Sequence, residues 1–177
     1  KVSWAKALGL TQVTAVADAE LMNRYPKTKS YPRFPGLADM PYLWVEALVA
    51  MDTINGGNEW RLDHRMSLEG GLAYLDMLNG LWSNPENKIL IQENFRTDEQ
   101  EDMKSRLVVA SYNSGYARVQ DALKRYGHNW LHAPDLKEAR HYLARIYSYC
   151  EHFGEPEVAH RFSEREPAPK IRQEDRT

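Results

Sequence analysis

Apolar side chains recur along this chain at three- and four-residue spacings, and no stretch alternates apolar and polar residues between hairpin signals. That periodicity builds helices and leaves little to pair into a sheet, so the expected fold is mainly α. Local punctuation agrees. Thr14 can cap a first helix running through Glu20 toward Tyr25, where Pro26 stops it. A second helix is expected from Asp39 as cap, with Pro41 in its first turn, through Leu43, Ala47, Leu48 and Met51 to a stop at Gly56-Gly57. Its apolar side is broad, which predicts thorough burial. Ser67 can cap a third, with Leu68, Gly71, Leu72, Leu75 and Leu78 as its stripe, ending before Ser83-Asn84-Pro85. Gly70 and Gly71 near its start cost about 1 kcal/mol each relative to Ala. Close approach of another backbone is the simplest reason for them.

Ile89 to Ile91 is the only plausible strand, and a very short one. Thr97-Asp98-Glu99-Gln100 has the form of a capping box opening a fourth helix toward Ala110. Gly115 to Tyr126 predicts a fifth, closed by Gly127. Pro134-Asp135 opens a sixth that carries Leu136, Ala139, Tyr142, Leu143, Ile146 and Tyr147 on one face. Between Tyr25 and Gly36, Pro26, Pro32 and Pro35 interleave with Lys27, Lys29 and Arg33, which argues against regular structure. Residues 154–177 are charged, contain proline and hold few large apolar side chains, and are expected to form a tail outside the domain of residues 1–153.

With 177 residues, 42% of them apolar, the chain has material for one core. A net charge of −2 supplies no general attraction to nucleic acid, which is excluded as an expected partner. The lone Cys150 cannot form an internal disulfide. The apolar runs fall short of the ~20 residues a membrane span needs, so none is expected. The start at Lys1-Val2, with neither Met nor a signal sequence, suggests a trimmed form of something longer.

Four separated motifs carry chemistry as a set. Ser3-Trp4-Ala5-Lys6-Ala7-Leu8-Gly9-Leu10-Thr11-Gln12 resembles the Ser-Pro-x-Gly-Ala-x-Gly-Leu-Met-Gln signature of the soluble lytic transglycosylases, relatives of goose-type lysozyme. Asp63, Leu68, Gly71, Tyr74 and Leu75 match that family's Asp-Pro-x-x-Asn-Ile-x-x-Gly-x-x-Tyr-Leu, with His64 and Ser67 in place of the Pro and Asn. Ala110-Ser111-Tyr112-Asn113-Ser114-Gly115-Tyr116-Ala117-Arg118-Val119 is similar to Ala-Ala-Tyr-Asn-Ala-Gly-x-x-Arg-Val almost residue for residue. Glu138-Ala139-Arg140-His141-Tyr142-Leu143 resembles the late Glu-Thr-x-x-Tyr-Val segment. The likeness runs from about Ser3 to Ile146, with residues 26–61 resembling an insertion.

The resemblance implies a lysozyme-like domain that degrades peptidoglycan by cutting the bond between N-acetylmuramic acid and N-acetylglucosamine. A glycosidic oxygen leaves only when protonated, so one carboxylic acid must be held neutral and aimed at it. In the family a single Glu does this, and the substrate's acetamido group replaces a second carboxylate. Return of the proton by the muramic C6 hydroxyl gives an anhydro ring, and by water a hydrolysis product. Gln12 is implied to bond the N-acetyl group or backbone near the cleavage site. Tyr112 would line the groove, Asn113 would orient the acetamido side, and Tyr142 would point back toward the acid. Gly9 and Gly115 would shape the turns beside them. The family's catalytic Glu precedes the Gly-Leu-x-Gln element by enough to fall upstream of Lys1, where it is expected. No cofactor or metal is implied. The implied partner is the peptidoglycan glycan strand and the setting the bacterial periplasm or envelope; the compact size suits a phage lysin, either virion-associated with phage particle proteins or released for lysis.

Other readings of the same residues stay open. His128, His132 and Asp135 have a spacing that could hold a metal on a helix, but Gly127 and Pro134 break the helix around them. Glu20, Glu46 and Asp52 are each candidates for a substitute acid, and each reads more simply as a solvated or paired charge. Ser3, Ser111 and Ser114 lack a His-carboxylate signature for a nucleophile. The alternatives in function are a peptidoglycan endopeptidase cutting peptide cross-links, and a non-catalytic peptidoglycan-binding or structural virion module.

Overall fold

Thr14 does cap the first helix: its Oγ1 accepts from the Ala17 backbone N–H at 3.2 Å, and helix α1 (Ala15–Arg24) ends one residue before Pro26. The computed structural model describes residues 2–153, and the tail expected over 154–177 lies outside them. The remaining helices are α2 (Tyr42–Ala50), α3 (His64–Trp82), α4 (Pro85–Asn94), α5 (Gln100–Ser114), α6 (Tyr116–Tyr126) and α7 (Lys137–Phe153). The chain is mainly α. Among the described residues extended pairing is limited to two isolated bridges, Val2 with Leu8 and Leu8 with Val13.

Several expectations require correction. Residues Ile89 to Ile91 are helical, within α4, because Asn84 accepts from the Asn87 N–H at 2.8 Å and Pro85 occupies the first helical position. A capped start with φ preset by proline outweighs the weak strand preference of an Ile-Leu-Ile run. The cap of α3 is Asp63, whose Oδ1 accepts from Met66 N–H at 2.8 Å; Ser67 lies buried one turn inside. The buried side of α3 is Ser67, Gly70, Gly71, Tyr74, Met77, Leu78 and Trp82, while Leu68 and Leu72 face outward. The Thr97 capping box does not form: α5 starts after Glu99, with no side-chain cap. In the proline-rich stretch, Pro26–Ser30 forms a single 3-10 turn.

The main core joins α1, α3, α5, α6 and α7 around Leu21, Trp60, Leu78, Trp82, Leu107, Leu123, Trp130 and Leu136, all essentially buried. Helix α5 packs against α3, α6 and α7 and so supplies the centre. A smaller cluster of Val2, Leu8, Leu37, Val45 and Ile54 joins the N-terminal turn to α2. Only Val45 of α2 is buried; Leu43 is 69% exposed and Trp44 66%. Tyr42, Leu48 and Val49 pack against the smaller cluster but stay half-exposed, so the thorough burial expected of the helix is not found.

Segment 26–61 is instead tied down by polar groups. Arg33 donates from Nε and Nη2 to the two oxygens of Asp18 on α1, both at 2.8 Å, and Asp18 also accepts from the Trp60 indole at 3.2 Å. Glu59 and Arg61, 0% and 2% exposed, pair at 2.7 Å; Arg61 also donates to the Val13 carbonyl at 3.4 Å and Glu59 accepts from Phe34 N–H at 3.2 Å. Such pairs are retained because every polar atom has a partner. They hold Trp60 against Gly70 of α3 and the Arg61 carbonyl against Gly9 of the loop at residues 9–12.

Candidate functional site

The Gly9-Leu10-Thr11-Gln12 motif is a four-residue loop closed at its base by Leu8 N–H donating to the Val13 carbonyl at 3.3 Å. Gly9 (φ +73°) and Gln12 (φ +54°) both adopt left-handed backbone. Gly9 is required twice over, since a Cβ there would lie 1.6 Å from the Arg61 carbonyl oxygen and the positive φ would strain any other residue. Gln12 donates from its side-chain amide to the Gly9 carbonyl at 2.7 Å, bracing the loop across its mouth.

Thr11 anchors this loop on α3. Its hydroxyl donates to the Ser67 carbonyl at 2.9 Å and lies 3.1 Å from the Ser67 hydroxyl. Gly71 makes room: a Cβ on it would stand 2.5 Å from the Thr11 methyl. Gly70 does the same for the Trp60 ring, at 2.2 Å. The paired glycines thus admit two side chains rather than the backbone that the sequence suggested. Thr11 and Ser67, 56 residues apart in the chain, thus meet in space as a hydroxyl pair.

Tyr112 completes the junction. From near the end of α5, its hydroxyl donates to the Thr11 carbonyl at 2.8 Å, linking motifs 101 residues apart. Its ring meets Tyr74 of α3 edge-on, centroids 5.4 Å apart. Burial pushes the Tyr112 phenol up to about 12, the Thr11 hydrogen bond opposing this and the nearby Tyr142 adding to it. Tyr74 is likewise pushed to about 12, first by burial and then by Glu20 and Tyr112. Burial also raises Tyr142. Both phenols at this junction are therefore neutral hydrogen-bonding groups across the physiological range.

Tyr112 is bonded to the residue before Gln12, and Tyr142 of α7 adds slightly to the raising of the Tyr112 phenol. Beyond them a cavity of about 620 Å³ is lined by Asn113, Tyr142, Lys137, Glu138, His141 and Arg145. Asn113 accepts from the Ser114 hydroxyl at 3.1 Å. Gly115 (φ +87°) ends α5 and starts α6 in open space, so its backbone conformation alone calls for glycine.

Much of the Ala110–Val119 motif is scaffold. Ser111 is buried and accepts from the Trp82 indole at 2.9 Å, Val119 is in the core, and the Tyr116 hydroxyl accepts from Asn87 and Gln120, each at 2.8 Å. Ser3 accepts from the Ala7 N–H at 3.0 Å. Among the described residues the buried carboxylates are Asp18 and Glu59, both enclosed by arginine donors away from solvent, while Glu20, Glu46 and Asp52 are exposed. Glu46 accepts from Tyr42 at 2.8 Å. His132 rests beside Arg140, ring nitrogen to guanidinium 3.4 Å, and no group of three His, Cys, Asp or Glu among the described residues is arranged to hold a metal ion.

Sequence reasoning missed Lys137, His141 and Arg145 as cavity-lining residues. Their signal was the spacing of 138, 141, 142 and 145, one helical face on which the single aromatic stood out and the polar residues passed as solvated. No described helix is long and apolar enough to cross a membrane. No protein-family model, curated protein or solved structure matches this chain.

Proposed function

We propose that this protein binds peptidoglycan glycan strands along the wall formed by Gln12, Tyr112, Asn113 and Tyr142, as the groove of a muralytic, lytic transglycosylase-like enzyme. The observation that carries the reading is the Tyr112 hydroxyl bonded to the Thr11 carbonyl, which joins the two most specific motifs of the chain. Neutral phenols and carboxamides suit an amino sugar, which offers hydroxyls and acetamido groups rather than charge. Tyr112 and Tyr142 supply apolar faces with a polar tip, and Asn113 a carboxamide for the acetamido side.

In this reading a single Glu protonates the glycosidic oxygen. The acetamido group of the bound sugar attacks the anomeric carbon as the bond to the leaving oxygen breaks. The muramic C6 hydroxyl then closes the anhydro ring, returning its proton to the carboxylate. The chain described here orients the sugar: the Gly9–Gln12 loop presents one edge, and α5 and α7 the other.

The test is digestion of purified sacculi by the protein, followed by mass analysis. Anhydro or reducing muramyl ends support glycan cleavage. Free peptide termini without new muramyl ends overturn the reading in favour of a peptidase. Binding to sacculi without any released product overturns the catalytic part and leaves a binding module.

A further inference from the structure

Helix α2 carries a single charged residue, Glu46, yet of its apolar side chains only Val45 is buried. At about 100° per residue, Tyr42, Val45, Leu48 and Val49 turn toward the smaller core cluster. Leu43, Trp44, Ala47 and Ala50 are left on the outer side, continued by Met51, which is 66% exposed. Along the row Leu43, Ala47, Met51 a small side chain stands between two large ones, so this apolar face dips at its middle. Its border is acidic. From Phe34 to Trp60 the sequence contains no Lys, Arg or His. Glu59 is buried against Arg61, but Asp39, Glu46 and Asp52 are exposed and enter none of the ion pairs among the described residues. The Tyr42 hydroxyl donates to Glu46 at 2.8 Å and holds that carboxylate at the edge of the face, while Asp39 and Asp52 flank the two ends of the helix. Lys6 reaches the segment from the N-terminal turn, where its ammonium donates to the carbonyls of Ala38 and Met40.

We propose that the outer face of α2 docks a basic amphipathic helix of a partner protein, whose apolar stripe lies over Ala47 between Leu43, Trp44 and Met51 and whose Lys or Arg residues meet Asp39, Glu46 and Asp52. The dip at Ala47 lets a second helix axis come close, and a large apolar side chain of the partner fills it. Trp44 supplies the broadest contact and the carboxylates fix the orientation. Charge decides against the other occupants. A second copy of this chain, paired antiparallel about Ala47, brings Asp39 of one protomer to Asp52 of the other, and like charges brought together are costly. The few outward side chains also fall well short of the roughly 20–30 residues a side of a stable interface, whereas a single docked helix needs only a handful of anchors. A bilayer surface fits no better, because helices that lie in it carry Lys and Arg toward anionic headgroups and this border carries carboxylates. The proposal is independent of the glycan-binding wall.

The experiment titrates the full chain into two dye-labelled synthetic helices, each about five turns long with Leu along one face, one carrying Lys on its other face and one Glu, and follows fluorescence anisotropy. The Leu and Lys helix is expected to bind about tenfold more tightly, the sum of three exposed charge pairs of ordinary strength. Leu43→Ser with Trp44→Ser abolishes that binding. Asp39→Asn with Glu46→Gln and Asp52→Asn brings the two helices to equal affinity, while Glu93→Gln with Glu101→Gln, exposed carboxylates on α4 and α5, preserves the preference. Thermal melting verifies that every variant is folded. Failure of the native chain to bind the Leu and Lys helix, or binding that survives the change at Leu43 and Trp44, overturns the proposal. A preference lost equally in the Glu93 and Glu101 variant also overturns it, in favour of general surface charge. Two further measurements can overturn it. Sedimentation of the native chain that shows a dimer dispersed by the Leu43 and Trp44 change assigns the face to a second copy. Co-sedimentation with vesicles of phosphatidylcholine and phosphatidylglycerol, lost in the same variant, assigns it to a bilayer.

Discussion

The main core and the segment from Pro26 to Arg61 are held by opposite means. Helices α3, α5, α6 and α7 close over buried Leu, Val and Trp side chains. The segment includes the most apolar helix of the chain, yet α2 buries one residue of nine, and beside the buried Leu37, Ile54 and Trp60 the attachment runs through the pairs Arg33–Asp18 and Glu59–Arg61. Hydrophobic burial is proportional to area and indifferent to direction, whereas bidentate arginine pairs fix a geometry. The segment therefore behaves as a bracket: it delivers the Arg61 carbonyl to Gly9 and the Trp60 ring to Gly70, and thereby sets the loop that carries Gln12.

The sharpest way to break this contrast is Arg61→Met. Leaving the Glu59 carboxylate buried without its partner should cost about 3–5 kcal/mol in denaturant unfolding, and adding Glu59→Leu should recover much of it. A loss below ~1 kcal/mol would show the bracket to be dispensable. Gly9→Ala comes next, at roughly 3 kcal/mol, because the new Cβ meets the Arg61 carbonyl and the left-handed backbone is strained. An unchanged midpoint would mean that loop and bracket separate freely.

Tyr112→Phe should cost about 1 kcal/mol of stability through the lost bond to Thr11 and weaken glycan-strand binding more than it weakens the fold. The same residue sharpens the comparison through pH. Its folded pKa of about 12 lies above the ordinary phenol value of 10.0, so its contribution is complete below pH 10.0 and is lost as pH rises toward 12. Tyr74 and Tyr147 share that raised value. Ultraviolet titration of phenolate should show one late-ionising tyrosine fewer in Tyr112→Phe than in the native protein. The smallest effect belongs to Trp44→Ser on the exposed face of α2, within about 0.5 kcal/mol; a loss near that of a buried tryptophan would refute the exposure of that face.

Legibility differed between elements for identifiable reasons. Thr14, Gly115 and Gly127 announced helix ends because capping and positive φ are local requirements that few residues meet. Gly70 and Gly71 announced a close approach, but which groups would approach was not written near them. Ile89 to Ile91 misled because three residues cannot distinguish a strand from a buried helical turn. The Leu68–Leu72 stripe misled because it assumed that the core lay under the largest side chains; α3 turns its glycines and Tyr74 inward instead, to receive Thr11, Trp60 and Tyr112.

By itself, the order of residues determined that this chain is helical and where most helices stop; each follows from interactions within about one helical turn. Only the folded arrangement decided that the loop at residue 12 meets the phenol at residue 112, that α2 stays largely uncovered, and that basic side chains of α7 gather around a cavity. Those outcomes depend on which surfaces compete for the same core, and that competition is settled by contacts between residues distant along the chain.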